Sequence, residues 1–330
     1  MPDNYLVVRL GSFGDVLLTT GVLSSWNTNM DCRFHVVTRS SYSDIFLHHP
    51  GVEKVIPVNA ENLTPRGWYN FCAELKRNYS SWDLIDLHVN LRTFFLKRVW
   101  PRKTHSYPKM GLCRRLYAGT GWSYFKNKLL ENNVPQRYHA ALRAGHKKQS
   151  DLTPQLFLEP AEISQAREKM THAGLNRQTI CIHPYATHQA KTWPGEKWKQ
   201  LCSLLEKNDY NWIIIGQHDS ALYPLEARDF TNQTSIRETA AIISHCQALV
   251  TGDSGPMHLA SAVNTPVIGL FGPTSREWGF YPSGPEDVII ESDLACRPCS
   301  LHGKATGKCR IKCMKQLEPQ QIINALNNSH

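Results

Sequence analysis

The chain has 330 residues, 41% of them hydrophobic, and a formal charge of +9. That length exceeds what one hydrophobic core usually supports, so two domains are expected, and no apolar run approaches the roughly 20 residues of a membrane span. Met1-Pro2-Asp3-Asn4-Tyr5 lacks the basic flank and cleavage site of a secretory signal, which predicts a cytoplasmic protein whose ten cysteines are mostly reduced thiols.

Short apolar runs alternate with longer amphipathic stretches, the pattern of parallel sheets with crossover helices. In the first half the predicted strands are 5–10, 34–38, 52–58 and 84–88, with helices beginning near Asp15, Ser43 and Trp68. Residues 149–160 break the pattern with two prolines and polar side chains and read as a linker. A second series follows, with strands 179–183, 212–216, 248–251 and 267–271 and helices beginning near Gly195, Asp219, Ile236 and Gly255. The expected fold class is α/β: two doubly wound domains, 1–155 and 156–330, facing a central cleft, with ligands at the carboxyl ends of the strands.

Those strand ends hold the unusual residues. The first strand runs into Gly11-Ser12-Phe13-Gly14-Asp15, a strand-to-helix loop that brings backbone N–H groups close to a polar ligand, with Asp15 expected to cap the helix. Strand 248–251 leads into Gly252-Asp253-Ser254-Gly255-Pro256-Met257-His258, where glycine, a capping serine and a first-turn proline suit a diphosphate cradle. Strand 179–183 ends in a loop carrying Thr187 and Lys191, the lysine suited to neutralise a phosphate, and Trp193-Pro194, suited to fix the loop on the next helix. Asp219 follows strand 212–216, where dinucleotide folds place an acid for ribose hydroxyls.

Charge and cysteine are clustered rather than spread. From Leu87 to Leu130 there is no Asp or Glu, while Arg92, Lys97, Arg98, Arg102 and Lys103 open a run of ten basic residues interleaved with aromatics. Such a field suits a polyanion, whether nucleic acid, anionic lipid or a phosphorylated substrate; a solvated basic face is the plainer reading. Near the C-terminus, Cys296-x-x-Cys299 and Cys309-x-x-x-Cys313 have the spacing of a four-thiolate structural site for zinc or iron, or are four reduced thiols.

These segments together resemble glycosyltransferase family 9, the ADP-heptose heptosyltransferases of the lipopolysaccharide inner core. The resemblance rests on residues 8–20, Asp86-Leu87-His88-Val89-Asn90-Leu91-Arg92, Lys191-Thr192-Trp193-Pro194, the 252–260 segment, Leu270-Phe271-Gly272-Pro273-Thr274 and the cysteine cluster, in that order. It implies the GT-B architecture of two Rossmann-like domains, the first for the acceptor and the second for the nucleotide-sugar, with a C-terminal helix over 319–327 packing back on the first. It implies Asp15 as general base of an inverting transfer and Thr187, Lys191, Asp219, Asp253, Ser254, Gly255 and His258 as donor-binding residues. Ser12, Arg92, Arg98, Arg102 and Lys103 become acceptor-binding residues. ADP-heptose is the implied donor, used without a catalytic metal, and the acceptor is the lipopolysaccharide core, met at the cytoplasmic face of the inner membrane. Tyr185-Ala186-Thr187-His188 departs from the Gly-Ala-Ser type run of many relatives, which bears on the donor sugar.

Two other classes compete. A nucleic-acid-binding protein could use residues 92–128 as a stacking and phosphate platform, but the loops at the strand ends would then have no purpose, so nucleic acid is not an expected partner. An epimerase, or a transferase using another nucleotide-sugar, would share the fold.

Overall fold

The computed structural model describes residues 3–175, 178–223, 227–300, 303 and 311–328. The chain forms two compact units, Met1–Met110 with Asn132–Phe157, and Gly111–Glu131 with Leu158–His330. In chain order the first unit begins β1 (Asp3–Val8), α1 (Phe13–Asn29), β2 (Cys32–Arg39), β3 (Val52–Val58), α2 (Pro65–Asn78), β4 (Asp83–Asp86), α3 (Leu91–Val99) and β5 (Thr104–Ser106). The helices α4 (Gly111–Thr120) and α5 (Ser123–Leu130) belong to the second unit, and α6 (Val134–His139) returns to the first.

The first sheet is wholly parallel, in the order β3-β2-β1-β4-β5. A parallel sheet is covered on both faces, so its central strands read as continuous apolar runs; Leu6, Val7, Val8, Leu84 and Ile85 are fully buried accordingly. Helix α1 is buried along most of its length, from Val16 to Trp26. A Cβ on Gly21 would lie 2.1 Å from the carbonyl oxygen of Thr153, so glycine is what lets residues 152–153 lie against the helix. The Gln155 N–H donates to Thr20 Oγ1 at 2.8 Å, and the stretch expected to be a linker is thus anchored on α1 as far as Gln155.

The second unit continues with α7 (Pro160–His172), β6 (Thr179–His183), α8 (Gly195–Lys207), β7 (Asn211–Ile214), α9 (Ile236–Ser244), β8 (Ala248–Gly252), α10 (Gly255–Ala262), β9 (Val267–Phe271), β10 (Val288–Glu291), α11 (Lys312–Gln316) and α12 (Pro319–Asn328). Its sheet is also parallel, in the order β10-β9-β8-β6-β7. The strand order reverses at β1/β4 and at β6/β8, and such switch points are where open α/β sheets take their ligands.

Two local expectations change. The helix near Ser43 is a tighter 3₁₀ turn over Ser40–Phe46. No helix begins at Asp219 among the described residues; the chain instead returns to extend the sheet through a bridge between Ile214 and Asp229. Helix α12 buries its apolar residues in its own unit: Ile322, Ile323 and Leu326 lie in the core with Trp193, Trp198 and Leu201. Lys197 Nζ holds that arrangement, donating to the carbonyls of Lys315 and Leu317 and to Glu318 Oε1 at 2.6–2.8 Å.

The α4–α5 hairpin packs on the turn Arg276–Trp278. The Tyr117 hydroxyl donates to Glu277 Oε1 at 3.3 Å, Lys126 Nζ is 3.5 Å from the same oxygen, and the Tyr117 ring meets Trp278 edge-on with centroids 5.9 Å apart.

Candidate functional site

In the first unit, the β1/β4 register sets Val8 beside Asp86, so the residues that follow each strand lie side by side. Arg9 Nη1 donates to the Leu87 carbonyl at 2.5 Å and Arg9 Nη2 pairs with Asp15 Oδ2 at 2.7 Å. The same carboxylate accepts from Ser12 Oγ at 2.9 Å and, through Oδ1, from the Tyr138 hydroxyl at 2.7 Å. Tyr138 is fully buried on α6 and its ring lies under the Arg9 guanidinium, 5.5 Å from centroid to carbon. Asp15 therefore is not the N-cap: Ser12 holds that position, and Asp15 lies in the first turn with its carboxylate fixed by side chains.

A second cluster adjoins it at the end of β4. The buried Asp86 accepts from the backbone N–H groups of His88 and Val89 at 3.0 and 2.8 Å and pairs with Lys97 at 3.1 Å. Burial and the nearby Arg9 push His88 down to about 4, so its ring is neutral at physiological pH. Lys109 Nζ reaches the Val89 carbonyl at 2.8 Å.

The expected acceptor residues divide. Ser12 is bonded to Asp15, and Arg92 stands on the first turn of α3 with its guanidinium on the Leu63 carbonyl, 3.0 Å away. Arg98 is exposed in the last turn of α3, Arg102 pairs with Asp83 at 3.3 Å, and the Lys103 carbonyl accepts from Leu84. The last two sit where β4 and β5 begin, at the opposite end of the sheet from Asp15.

In the second unit, the β6/β8 register puts His183 beside Thr251. His183 Nδ1 lies 3.1 Å from Thr251 Oγ1 and 3.2 Å from Ser254 Oγ, and these hydroxyls are 2.9 Å apart. Burial pushes His183 down to about 4. Ser254 holds the N-cap position of α10 but makes no side-chain cap bond; its hydroxyl is engaged by β6 and β8. Lys191 Nζ pairs with Asp253 Oδ2 at 2.6 Å, and Thr274 Oγ1 donates to that oxygen at 2.7 Å. A lysine, a carboxylate and a helix N-terminus therefore meet where the strand order reverses, an arrangement suited to a phosphorylated ligand. His258 is buried on α10, while Thr187 and Asp219 are exposed in the loops after β6 and β7.

The Trp193-Pro194 expectation is met: Trp193 crosses Trp198 of α8 edge-on at 4.7 Å and donates to the Leu317 carbonyl. Gly216, at φ +132°, ends the extension of β7, and a Cβ there would come within 2.7 Å of Tyr185 and 2.8 Å of His183. Tyr185 in turn stacks on His218, rings 4.7 Å apart and 8° from parallel.

The segment around the first cysteine pair braces the neighbouring loop. Arg297, inside Cys296-x-x-Cys299, donates to the carbonyls of Gly272, Ser292 and Thr274 at 2.6, 2.6 and 3.0 Å and to Glu291 at 2.7 Å. The N–H groups of Cys299 and Ser300 both donate to the Pro273 carbonyl. The segment thus buttresses the Gly272-Pro273-Thr274 loop whose threonine holds Asp253. Cys313 is buried against Gly272, Cys296 is exposed and Cys309 lies outside the described residues. Among the described residues no three Cys, His, Asp or Glu side chains gather in a group that could hold a metal, and the expected thiolate site includes Cys309, outside those residues.

Residues 115–309 match the family model described as glycosyltransferase family 9 (heptosyltransferase). The chain belongs to glycosyltransferase family 9. Among curated relatives in the family, it is 34% identical over 161 residues to lipooligosaccharide heptosyltransferase 2 of Haemophilus influenzae, a match covering 43% of this chain and 46% of that one. The chain thus spans about half the length of that relative. Lipopolysaccharide heptosyltransferase 1 of Pseudomonas aeruginosa is 26% identical over 312 residues, 89% of this chain and 85% of the relative. The solved ADP-heptose lps heptosyltransferase II of E. coli superposes with a TM-score of 0.72 at 18% identity, covering 99% and 98% of the two chains. That likeness carries the fold, two Rossmann-like domains of the GT-B class.

Four residues of this candidate site had little signal in the sequence. Arg9 and His183 end apolar strands and announce no role until the neighbouring strand is known, and Tyr138 lies 123 positions from the carboxylate it holds. Arg297 lies inside Cys296-x-x-Cys299, a spacing that carries a signal for its cysteines alone.

Proposed function

We propose that the protein is an inverting glycosyltransferase that moves heptose from ADP-heptose to the lipopolysaccharide inner core, on a Kdo or heptose acceptor. The second unit, 111–131 with 158–330 rather than the expected 156–330, holds the donor, and the first, 1–110 with 132–157 rather than 1–155, the acceptor. The observation that carries the reading is the Lys191–Asp253 pair beside the N-terminus of α10 at the β6/β8 switch point. A diphosphate drawn to that N-terminus competes with Asp253 for the Lys191 ammonium. Once released, Asp253 is free to accept from sugar hydroxyls.

In the reaction the acceptor oxygen bonds to the anomeric carbon as the bond to the diphosphate oxygen breaks, and ADP leaves with that electron pair. The hydroxyl proton passes to the Asp15 carboxylate. Lys191 and the α10 N–H groups stabilise the charge gathering on the leaving group, where a preorganised field does most for catalysis. Arg9, Ser12 and Tyr138 fix the direction of Asp15, which suits a late proton transfer that depends on position more than basicity. Thr187, Asp219, Gly255 and His258 complete the donor set, and Arg92 serves the acceptor. Among the described residues no helix is long and apolar enough to cross a membrane, and work at the cytoplasmic face of the inner membrane is part of the proposal.

The deciding experiment incubates the protein with a panel of nucleotide-sugars and deacylated core acceptors and measures nucleoside diphosphate release. ADP release that needs both ADP-heptose and a core acceptor is expected. Release with a different nucleotide-sugar alone would replace the donor, and sugar conversion without acceptor would make the protein an epimerase.

A further inference from the structure

Helix α3 turns an apolar face outward. Leu91, Phe94, Phe95 and Val99 are 71%, 57%, 56% and 44% exposed, and at helical spacing they fall on one side together with Arg92 and Arg98. The inward side is already satisfied: Thr93 and Leu96 are buried, and Lys97 is drawn to Asp86 and Ser106. The Phe94 and Phe95 rings meet edge-on, centroids 5.9 Å apart, so the outer face is continuous. A capping box between Asn90 and Thr93 fixes the start of the helix. Singly exposed apolar residues are ordinary on a soluble protein; four in one stripe with arginines at its rim are not.

We propose that this face is a membrane-docking surface that sets Phe94 and Phe95 at the headgroup boundary of an anionic lipid bilayer. The charge on the page selects this occupant. No acid occurs between Leu87 and Leu130, and Arg92 and Arg98 flank the rings as cationic residues flank the apolar side of an interfacial helix. Arginine stems also lie along apolar surface while the head stays wet, so the rim does not have to be displaced for the rings to enter. Helix α3 starts three residues beyond His88, at the same end of β4 as the Asp15 cluster. The inference rests on the transferase reading only in explaining why a lipid-linked acceptor would be met there; the binding itself requires neither donor nor acceptor.

The test is flotation of the full-length protein with vesicles of phosphatidylethanolamine and phosphatidylglycerol, against vesicles of phosphatidylcholine. The native protein should float with the anionic vesicles, and Phe94→Ser with Phe95→Ser should lower its partition by about tenfold, the loss of two half-buried rings. Arg92→Gln with Arg98→Gln should remove the preference for anionic lipid. Because all four side chains are exposed and Arg92 gives up only a surface hydrogen bond to Leu63, the thermal melt of each variant should stay close to that of the native protein. Hydrogen exchange on the native protein gives a second readout free of mutation: amides of 91–99 should slow with anionic vesicles only. Unchanged flotation of the phenylalanine variant overturns the proposal. So does loss of flotation on Trp122→Ser with Tyr124→Ser alone, or slowing of 91–99 by an acidic peptide without lipid. Turnover of a soluble acceptor is scored separately, so failure of the transferase reading and failure of this surface are told apart.

Discussion

Removing the charge of Asp15 should damage stability and transfer by separate routes, and the two can be pulled apart. Arg9 is only 5% exposed and its pair with Asp15 is 2.7 Å long, so Asp15→Asn leaves a buried guanidinium without its anion. Taking away one partner of a buried pair costs roughly 3–5 kcal/mol; the Asp15 side chain is 18% exposed and asparagine can still accept from Tyr138, which argues for about 3 kcal/mol. For a unit of this size that corresponds to a fall in melting temperature of roughly 6–12 °C. Transfer should fall by at least about 100-fold, the usual contribution of a positioned general base. The second substitution is Arg9→Met on the same background. With the orphaned cation gone, more than half of the lost melting temperature should return while transfer stays lost. Calorimetry and ADP release on the two variants make the comparison. Recovery of transfer in the double variant, or near-native transfer by Asp15→Asn, would refute the base assignment; an unshifted melt in Asp15→Asn would refute the buried-pair argument.

Three further outcomes are expected. Lys191→Ala should weaken ADP and ADP-heptose binding alike, about tenfold for one lost charge-assisted contact, whereas Asp253→Asn should weaken the nucleotide-sugar and leave ADP affinity unharmed; titration calorimetry showing both variants at native affinity would move the donor site elsewhere. His183 is held at about 4 against its ordinary 6.5, so the unfolded chain binds the extra proton between those values. Its stabilisation is complete above pH 6.5 and is lost at roughly 1.4 kcal/mol per pH unit as the pH falls towards 4. Denaturant titrations over that window should show a shallower slope for His183→Asn. Arg297→Lys cannot reproduce the multi-carbonyl clamp and should raise the donor KM about fivefold to tenfold with kcat little changed; an unchanged KM would confine the clamp to stability.

The central strands were legible because a strand buried on both faces writes itself as an apolar run: β6 and β9 occupy the expected residues. The edge strands β5 and β10 were not, since Thr104–Ser106 and Val288–Glu291 are short and partly exposed and leave no such run. Helix starts at Gly195, Ile236 and Gly255 were marked by a preceding proline or serine. Asp15 was misassigned as a cap because Asp and Ser12 both suit that position, and only the backbone decides between them. What local sequence could not supply was company: Tyr138 on Asp15, Thr274 on Asp253 and Arg297 on the Gly272 loop are partnerships made by the fold.

The α4–α5 hairpin has a consequence for anyone who would recombine this protein with a relative. The backbone passes from one compact unit to the other after Met110, after Glu131 and after Phe157. A chimera joined only at the linker would take Glu277 and Trp278 from one parent and the Tyr117 and Lys126 that meet them from another. Its mismatched seam would run through the interior of the second unit. Exchange that respects the fold carries residues 111–131 with 158–330 as one inheritance, two separate pieces of the gene that have to travel together.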